Sequence, residues 1–246
     1  MSGHSKWATI KRKKGANDAQ RGKIFTKLGR ELAVAVKTGG SPDPSVNSRL
    51  KDVIAKCKSN NMPNDTIMRS IKKASGEGNA NTYEENIYEG YGPNGVAVIV
   101  ETLTDNKNRT AADMRHYFDK FGGNLGTSGC VMFMFDKKGI ILIENDGKLD
   151  EEQVMMDALE AGADDVESNE DGFEITTDPN NVSNVSEALE GMGYAIAQAE
   201  AQYVPQTETA LSDEHDILMM NKLIEHLEDS DDVQNVWHNW ENPTDD

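Results

Sequence analysis

The hydrophobic period of this chain changes once, across the Gly- and Asn-rich stretch Gly76 to Asn81. Before it, apolar residues recur every three or four positions, as on one face of a helix. After it, short apolar or alternating runs of strand length take turns with helical segments. The pattern predicts a helical module followed by mixed α/β modules, with several small cores for 246 residues. The charge reverses at the same place. Met1 to Ser75 holds 17 Lys or Arg against 5 Asp or Glu, a balance of +12, whereas the other 171 residues hold 8 against 38, a balance of −30. The net charge of −18 therefore hides a basic module joined to an acidic body. A basic module is a footprint for polyanions, because each phosphate neutralised by Lys or Arg releases condensed counterions. Nucleic acid is the expected partner.

Composition narrows the field further. A hydrophobic content of 37% with 28% charged residues suits a soluble globular chain, and no apolar run approaches the ~20 residues of a membrane span. The start leads straight into a basic stretch with no apolar core, so no secretory signal and a cytoplasmic location are expected. Cys57 and Cys130 show no metal or redox spacing, and both read as small core residues.

Within the basic module, residues 16–38 place Ile24, Phe25, Leu28, Leu32, Ala35 and Val36 in one helical arc, with Lys23, Lys27, Arg30 and Lys37 on the far side. Gly39-Gly40-Ser41-Pro42-Asp43-Pro44 ends this helix. A second helix carries Val46, Leu50, Val53, Ile54 and Cys57 inside, and a third starts near Pro63, buries Ile67, Met68, Ile71 and Ala74, and stops at Gly76. Beyond the linker the periodicity predicts a strand at 96–103, a helix at 109–121 and a strand at 130–136. From 139 onward it predicts strand, helix, two strands, helix and strand, closing near Pro205. That order, βαββαβ, is the ferredoxin-like signature. The tail adds a helix at 213–228 and a strand at 233–240, which lack a core of their own and complete the unit begun at Tyr83. The expected fold is α+β with three domains: a basic helical domain (1–78), a discontinuous α/β domain (79–137 plus 206–246), and a ferredoxin-like domain (138–205) inserted within it.

The candidate motifs divide into structural and functional readings. Gly90-Tyr91-Gly92-Pro93-Asn94-Gly95 matches a dinucleotide-binding string, but it precedes a strand where the fingerprint must follow one, so it reads as a turn. Gly122-Gly123-Asn124-Leu125-Gly126 reads either as a tight helix-to-strand connection or as a loop that lets a phosphate approach backbone N–H groups. Alternation in Cys130 to Phe135 puts Phe133 and Phe135 on one face, for packing under a helix or for stacking bases. The histidines do not cluster. Carboxylate pairs such as Asp164-Asp165 and Asp231-Asp232 could hold Mg²⁺, but an acidic surface produces such neighbours by chance. No cofactor or metal is expected. In the arm, Lys6, Lys11, Arg12, Lys13 and Lys14 surround Trp7 with few other apolar residues. This reads either as a solvated basic tail or as an arm that orders on a phosphate backbone while Trp7 stacks or anchors to the bundle.

Several strings resemble a known family: Gly3-His4-Ser5-Lys6-Trp7, Asp18-Ala19-Gln20-Arg21-Gly22-Lys23-Ile24-Phe25-Thr26-Lys27-Leu28, Asn61-Met62-Pro63, Tyr88-Glu89-Gly90-Tyr91-Gly92-Pro93, Asn108-Arg109-Thr110, Gly122-Gly123-Asn124-Leu125-Gly126 and Asp231-Asp232-Val233-Gln234. Jointly they resemble the YebC/PmpR family of probable transcriptional regulators, which includes mitochondrial translational activators of cytochrome oxidase. The resemblance spans nearly the whole chain. It departs at the turn 39–44, often shorter in the family, and at Cys130, where Ser is usual. It implies an N-terminal helical domain and two α/β domains around a crevice, a cytoplasmic protein and no known catalytic reaction. Some members carry a DNA-binding regulator label, while others act on ribosomes to help translation through proline runs.

The resulting expectation is a non-enzymatic, nucleic-acid-binding regulator of gene expression, a DNA-binding transcriptional regulator by resemblance. Its alternatives are a translation factor that binds ribosomal RNA and meets ribosomal proteins and, in a third class, a metal-dependent nuclease. Nucleic acid would be bound by Lys6, Lys11, Arg12, Lys13 and Lys14 of the arm and by Arg21, Lys23, Lys27 and Arg30 of the first helix, which hold phosphates, and by Trp7, which stacks or anchors. No membrane partner is expected.

Overall fold

A computed structural model describes Trp7 and residues 18–76, 82–145 and 147–241. The chain divides into two compact units, one of residues 15–134 and 207–246, the other of residues 1–14 and 135–206.

The first unit opens with three helices, α1 (Asp18–Thr38), α2 (Ser48–Ser59) and α3 (Asn64–Ser75). Their apolar faces meet in one core of Leu28, Leu32, Ala35, Val36, Leu50, Val53, Cys57, Met62, Ile67 and Ile71. Val46 and Met68, both expected inside, are 72% and 65% exposed: Val46 stands in the turn before α2 begins, and Met68 lies just outside the arc of α3 that reaches this small core. The α1–α2 turn is fixed by buried Asn47. Its Oδ1 accepts the Leu50 N–H (3.0 Å) as the α2 cap, and its Nδ2 donates to the carbonyls of Ala35 (2.9 Å) and Ser41 (2.8 Å). A Cβ at Gly39 would collide with the Asn47 side chain, so only glycine lets it reach the end of α1. Burial pushes the Cys57 thiol up to about 12, as befits an inert core residue.

After the helices come β1 (Glu84–Tyr91), β2 (Ala97–Thr104), α4 (Lys107–Lys120) and the two-residue β3 (Asn124–Leu125). The unit resumes at 207 with α7 (Glu214–Asp229) and β8 (Val233–His238). The sheet order is β3-β1-β2-β8, every neighbouring pair antiparallel. Because β2 and β3 are both antiparallel to β1, they run parallel to each other on either side of it, which suits the α4 crossover. α4 and α7 pack on one face over Val96, Val98, Val100, Met114, Phe118, Leu223 and Trp240. Asn239 fastens the returning segment: its Oδ1 accepts the Ala97 N–H (2.8 Å) and its Nδ2 donates to the Thr207 carbonyl (3.2 Å).

The second unit contains β4 (Phe135–Glu144), α5 (Glu151–Ala161), β5 (Asp165–Ser168), β6 (Gly172–Thr177), α6 (Val182–Gly191) and β7 (Ile196–Pro205). Its sheet order, β5-β6-β4-β7, all antiparallel, is the ferredoxin-like arrangement that βαββαβ predicts. Ile141, Ile143, Phe173 and Ile175 face α5 and α6 through Val154, Ala158, Val185 and Leu189. In sequence this second sheet lies between β3 and β8 of the first. The fold is α+β.

Three local expectations change. Strand β1 carries no strong strand signal and was not expected. The predicted strand at 130–136 is instead a loop with a 3-10 turn at Met132–Met134, and β4 runs unbroken from Phe135. Phe133 is 70% exposed while Phe135 is buried, so the two do not share a face. The reason is Glu89. Its buried carboxylate accepts the N–H groups of Gly129 (2.6 Å), Val131 (3.0 Å) and Met132 (2.8 Å), which draws these amides away from any ladder.

Candidate nucleic-acid interface

The structure puts the expected phosphate-binding residues in three different situations. Lys6, Lys11, Arg12, Lys13 and Lys14 lie outside the described residues. Trp7 is buried against Ile140 and Leu142, on the face of the second unit's sheet opposite α5 and α6. The indole lies over Gly172, where a Cβ would come within 2.7 Å of the ring. Trp7 fills an apolar seat within the second unit, where burying a large aromatic is worth a few kcal/mol.

The basic face of α1 is engaged by the same unit's own acids. Lys23 pairs with Asp229 at the end of α7 (2.8 Å), and the Lys27 ammonium donates to the Glu228 carbonyl (2.6 Å). The Arg30 guanidinium donates to Asp232 (2.5 Å) and to the Leu103 carbonyl (3.1 Å), and lies over the Tyr83 ring, 5.4 Å from its centroid. Arg21 is exposed on the first turns of α1. Elsewhere in the helical region, Arg49 pairs with Glu85 and Lys56 with Glu31.

Asp232 is the hub of these contacts. It sits in the tight connection between α7 and β8, and Arg109 Nη2 (2.8 Å) and the Thr110 hydroxyl (2.8 Å), both from the first turn of α4, donate to its Oδ2. Asn106 caps that turn by accepting the Arg109 N–H (3.1 Å), which aims both donors at the carboxylate. Desolvation alone would raise the Asp232 pKa, but the hydrogen bonds from Arg109, Arg30 and Thr110 outweigh it and hold the carboxyl at about 2. With both oxygens committed to cationic and hydroxyl donors, the Asp231-Asp232 pair has no free carboxylate face for Mg²⁺ on the Asp232 side. Among the described residues no three His, Cys, Asp or Glu side chains converge as metal ligands.

The glycine motifs resolve into backbone geometry. Gly92 closes the β1–β2 turn by donating to the Val96 carbonyl (2.7 Å). The N–H groups of Gly123 and Gly126 are taken by the carbonyls of Phe118 (2.8 Å) and Glu89 (2.8 Å), and a Cβ at Gly123 would stand 2.5 Å from the Tyr91 carbonyl. This is the tight helix-to-strand connection, and neither amide is offered to a phosphate. Sequence reasoning missed Glu89 and Asp232 as organising carboxylates. The signal available for each was its place in a longer string, Tyr88-Glu89-Gly90 and Asp231-Asp232-Val233-Gln234, and not any spacing that reveals its partners.

Comparison with known proteins agrees with this architecture. Residues 5–77 match the family described as TACO1/YebC protein N-terminal domain, and residues 83–240 match TACO1/YebC second and third domain. A probable transcriptional regulatory protein of Acetivibrio thermocellus is 64% identical over 240 residues, covering 98% of this chain and 99% of that protein. One from Ruminiclostridium cellulolyticum is 63% identical, covering 98% and 97%. The crystal structure of a conserved hypothetical protein, Aq1575, from Aquifex aeolicus superposes with a TM-score of 0.82 at 44% identity, covering 93% of each chain. No helix among the described residues is long and apolar enough to cross a membrane. With both family regions matched in order along the chain and near-full-length relatives at this identity, the protein belongs to the TACO1/YebC family of probable transcriptional regulatory proteins.

Proposed function

We propose that this protein is a non-enzymatic regulator of gene expression that binds DNA through its basic N-terminal module in the cytoplasm. The observation that carries the reading is the charge partition, +12 in residues 1–75 against −30 in the remainder, with the three-helix stretch 18–75 itself holding 12 Lys or Arg against 5 Asp or Glu. Such a module gains affinity from counterion release, whereas the acidic body repels phosphate. In this reading the three domains, 1–78, 79–137 with 206–246, and 138–205, divide the work: the first holds phosphates and the acidic two set orientation and meet transcription proteins. Lys6, Lys11, Arg12, Lys13 and Lys14 of the arm supply phosphate contacts, together with Arg21 of α1. Lys23, Lys27 and Arg30 join only by exchanging their present carboxylate and carbonyl partners for phosphate oxygens. The names of the curated relatives support regulation of transcription.

Crosslinking in cells, followed by sequencing of both the DNA and the RNA recovered, tests the reading. Enrichment of discrete DNA sites, bound roughly a thousandfold more tightly than random duplex, is the expected result. Recovery of ribosomal RNA in place of DNA would replace it with a translation factor acting on the ribosome.

A further inference from the structure

We propose that the outer face of α3 is a docking surface for the phosphate backbone of duplex DNA, formed by Arg69, Lys72 and Lys73. The proposal rests on the DNA-binding reading above and assigns it a surface that the arm and α1 do not include. α3 turns Ile67, Ile71 and Ala74 into the bundle core. At about 100° per residue, the opposite arc carries Arg69, Lys72 and Lys73, with Met68 at its border and 65% exposed. All three cations are exposed. Arg69 stands three and four positions before the two lysines, so their side chains are neighbours, about 5–6 Å apart at Cβ.

What separates this face from α1 is the state of its cations. Lys23 and Arg30 are held by carboxylates of the acidic body and Lys27 by a backbone carbonyl, so phosphate must displace an existing partner to reach them. On α3 the one acid on the same arc is Asp65, and Arg69 bonds its backbone carbonyl (3.2 Å), not its carboxylate. Among the described residues no ion pair ties Arg69, Lys72 or Lys73 to a carboxylate. Three untied cations within about 6 Å of helix axis match a duplex that carries one charge per roughly 1.7 Å of axis. The surface is a convex helix side and not a pocket for a single phosphate. The arc holds no Asn or Gln, so it positions the duplex without reading bases. A competing account, that Lys72 and Lys73 only complement the helix dipole in the last turn of α3, does not reach Arg69 in mid-helix.

The full chain decides between them. Fluorescence anisotropy of a labelled random 25-base-pair duplex, titrated across a KCl series, gives affinity and the slope of log K against log salt. The triple substitution Arg69→Ala, Lys72→Ala, Lys73→Ala is expected to weaken binding at least tenfold at 0.1 M KCl and to flatten the slope by roughly 2 to 3, at about 0.9 per lost contact. Lys72→Arg with Lys73→Arg keeps both, as does Lys107→Ala in the acidic body. If the triple variant does not fold, Lys73→Glu alone carries the same slope test at an exposed position. A wild-type protein that binds duplex while the triple variant keeps its affinity and slope overturns the proposal and leaves the DNA-binding reading standing. A wild-type protein that binds no duplex at low salt overturns both. Loss of binding to a structured ribosomal RNA hairpin with duplex binding unchanged overturns the proposal in favour of RNA.

Discussion

Arg30 and Asp232 lie 202 residues apart in sequence and meet at 2.5 Å, so a helix made early is clamped by a carboxylate made almost last. Both side chains are largely withdrawn from water, at 16% and 8% exposure. Removing one partner leaves the other as an uncompensated charge. Asp232→Ala should therefore destabilise the protein by about 2–4 kcal/mol in urea unfolding. Lys23→Ala, which breaks a pair exposed on both sides, should shift the midpoint far less.

Acid should unfold the protein in two stages. Burial pushes the His238 imidazole down to about 4 from the ordinary 6.5. The unfolded chain then takes up a proton below pH 6.5 that the folded chain refuses until about pH 4. Stability is unaffected above that window and falls through it, by roughly 3 kcal/mol at its foot. Asp232, held at about 2 against an ordinary 3.8, keeps its full contribution above pH 4 and loses it as pH drops through 2. Urea midpoints of wild type and His238→Gln across pH 3 to 8 should diverge between pH 6.5 and 4 and run parallel above it.

The Glu89 carboxylate should be the main restraint on the loop before β4. Glu89→Ala strands three backbone N–H groups, at about 1.5–3 kcal/mol for each lost charged hydrogen bond. Hydrogen exchange of the Gly129, Val131 and Met132 amides should accelerate by orders of magnitude in that variant, with exchange in the α1–α3 core unchanged.

A side chain at Gly172 should expel Trp7, since its Cβ would crowd both the indole and the Ile143 carbonyl of the paired strand. Gly172→Val is expected to red-shift the emission of a variant in which Trp7 is the sole tryptophan, through Trp237→Phe and Trp240→Phe. Trp7→Ala should cost about 3–5 kcal/mol, the usual range for emptying a buried aromatic seat. A Trp7 emission already characteristic of water in the wild-type background would show that the indole does not occupy this seat in solution.

Excising the second unit's strands and helices should leave a folded remainder. Joining Asp136 to Thr207 through a short linker keeps α1–α3 and the β3-β1-β2-β8 sheet intact, and cooperative thermal unfolding of the product is the expected observation. A broad, non-cooperative melt would count against an independent 138–205 domain.

Helices α1 to α3 were legible because their apolar residues keep helical spacing, and β4 to β7 because short apolar runs alternate with helices bounded by Asp150, Gly162 and Asn181. β1 was not. Glu84-Glu85-Asn86-Ile87-Tyr88-Glu89-Gly90-Tyr91 has two leading acids and a glycine, and it is a strand because eight residues pair with β2. The alternation of 130–135 looked like a strand, since nothing near it in sequence announces a carboxylate forty residues earlier. The candidate site divides the same way. That the first 75 residues are basic can be counted. Which of their cations are already spoken for cannot, because the partners of Lys23 and Arg30 stand some two hundred residues downstream.

The central place of β2 has a consequence during synthesis. Its β1 partner emerges just ahead of it, but its other edge waits for β8, about 130 residues later, which at 5–20 residues per second is roughly 6 to 26 s. For that interval Ala97 to Thr104, mostly apolar and almost wholly buried in the finished protein, presents an open strand edge to any chain nearby. A nascent chain halted inside the second unit would keep that edge open indefinitely, making truncated products of this gene the ones most prone to aggregate.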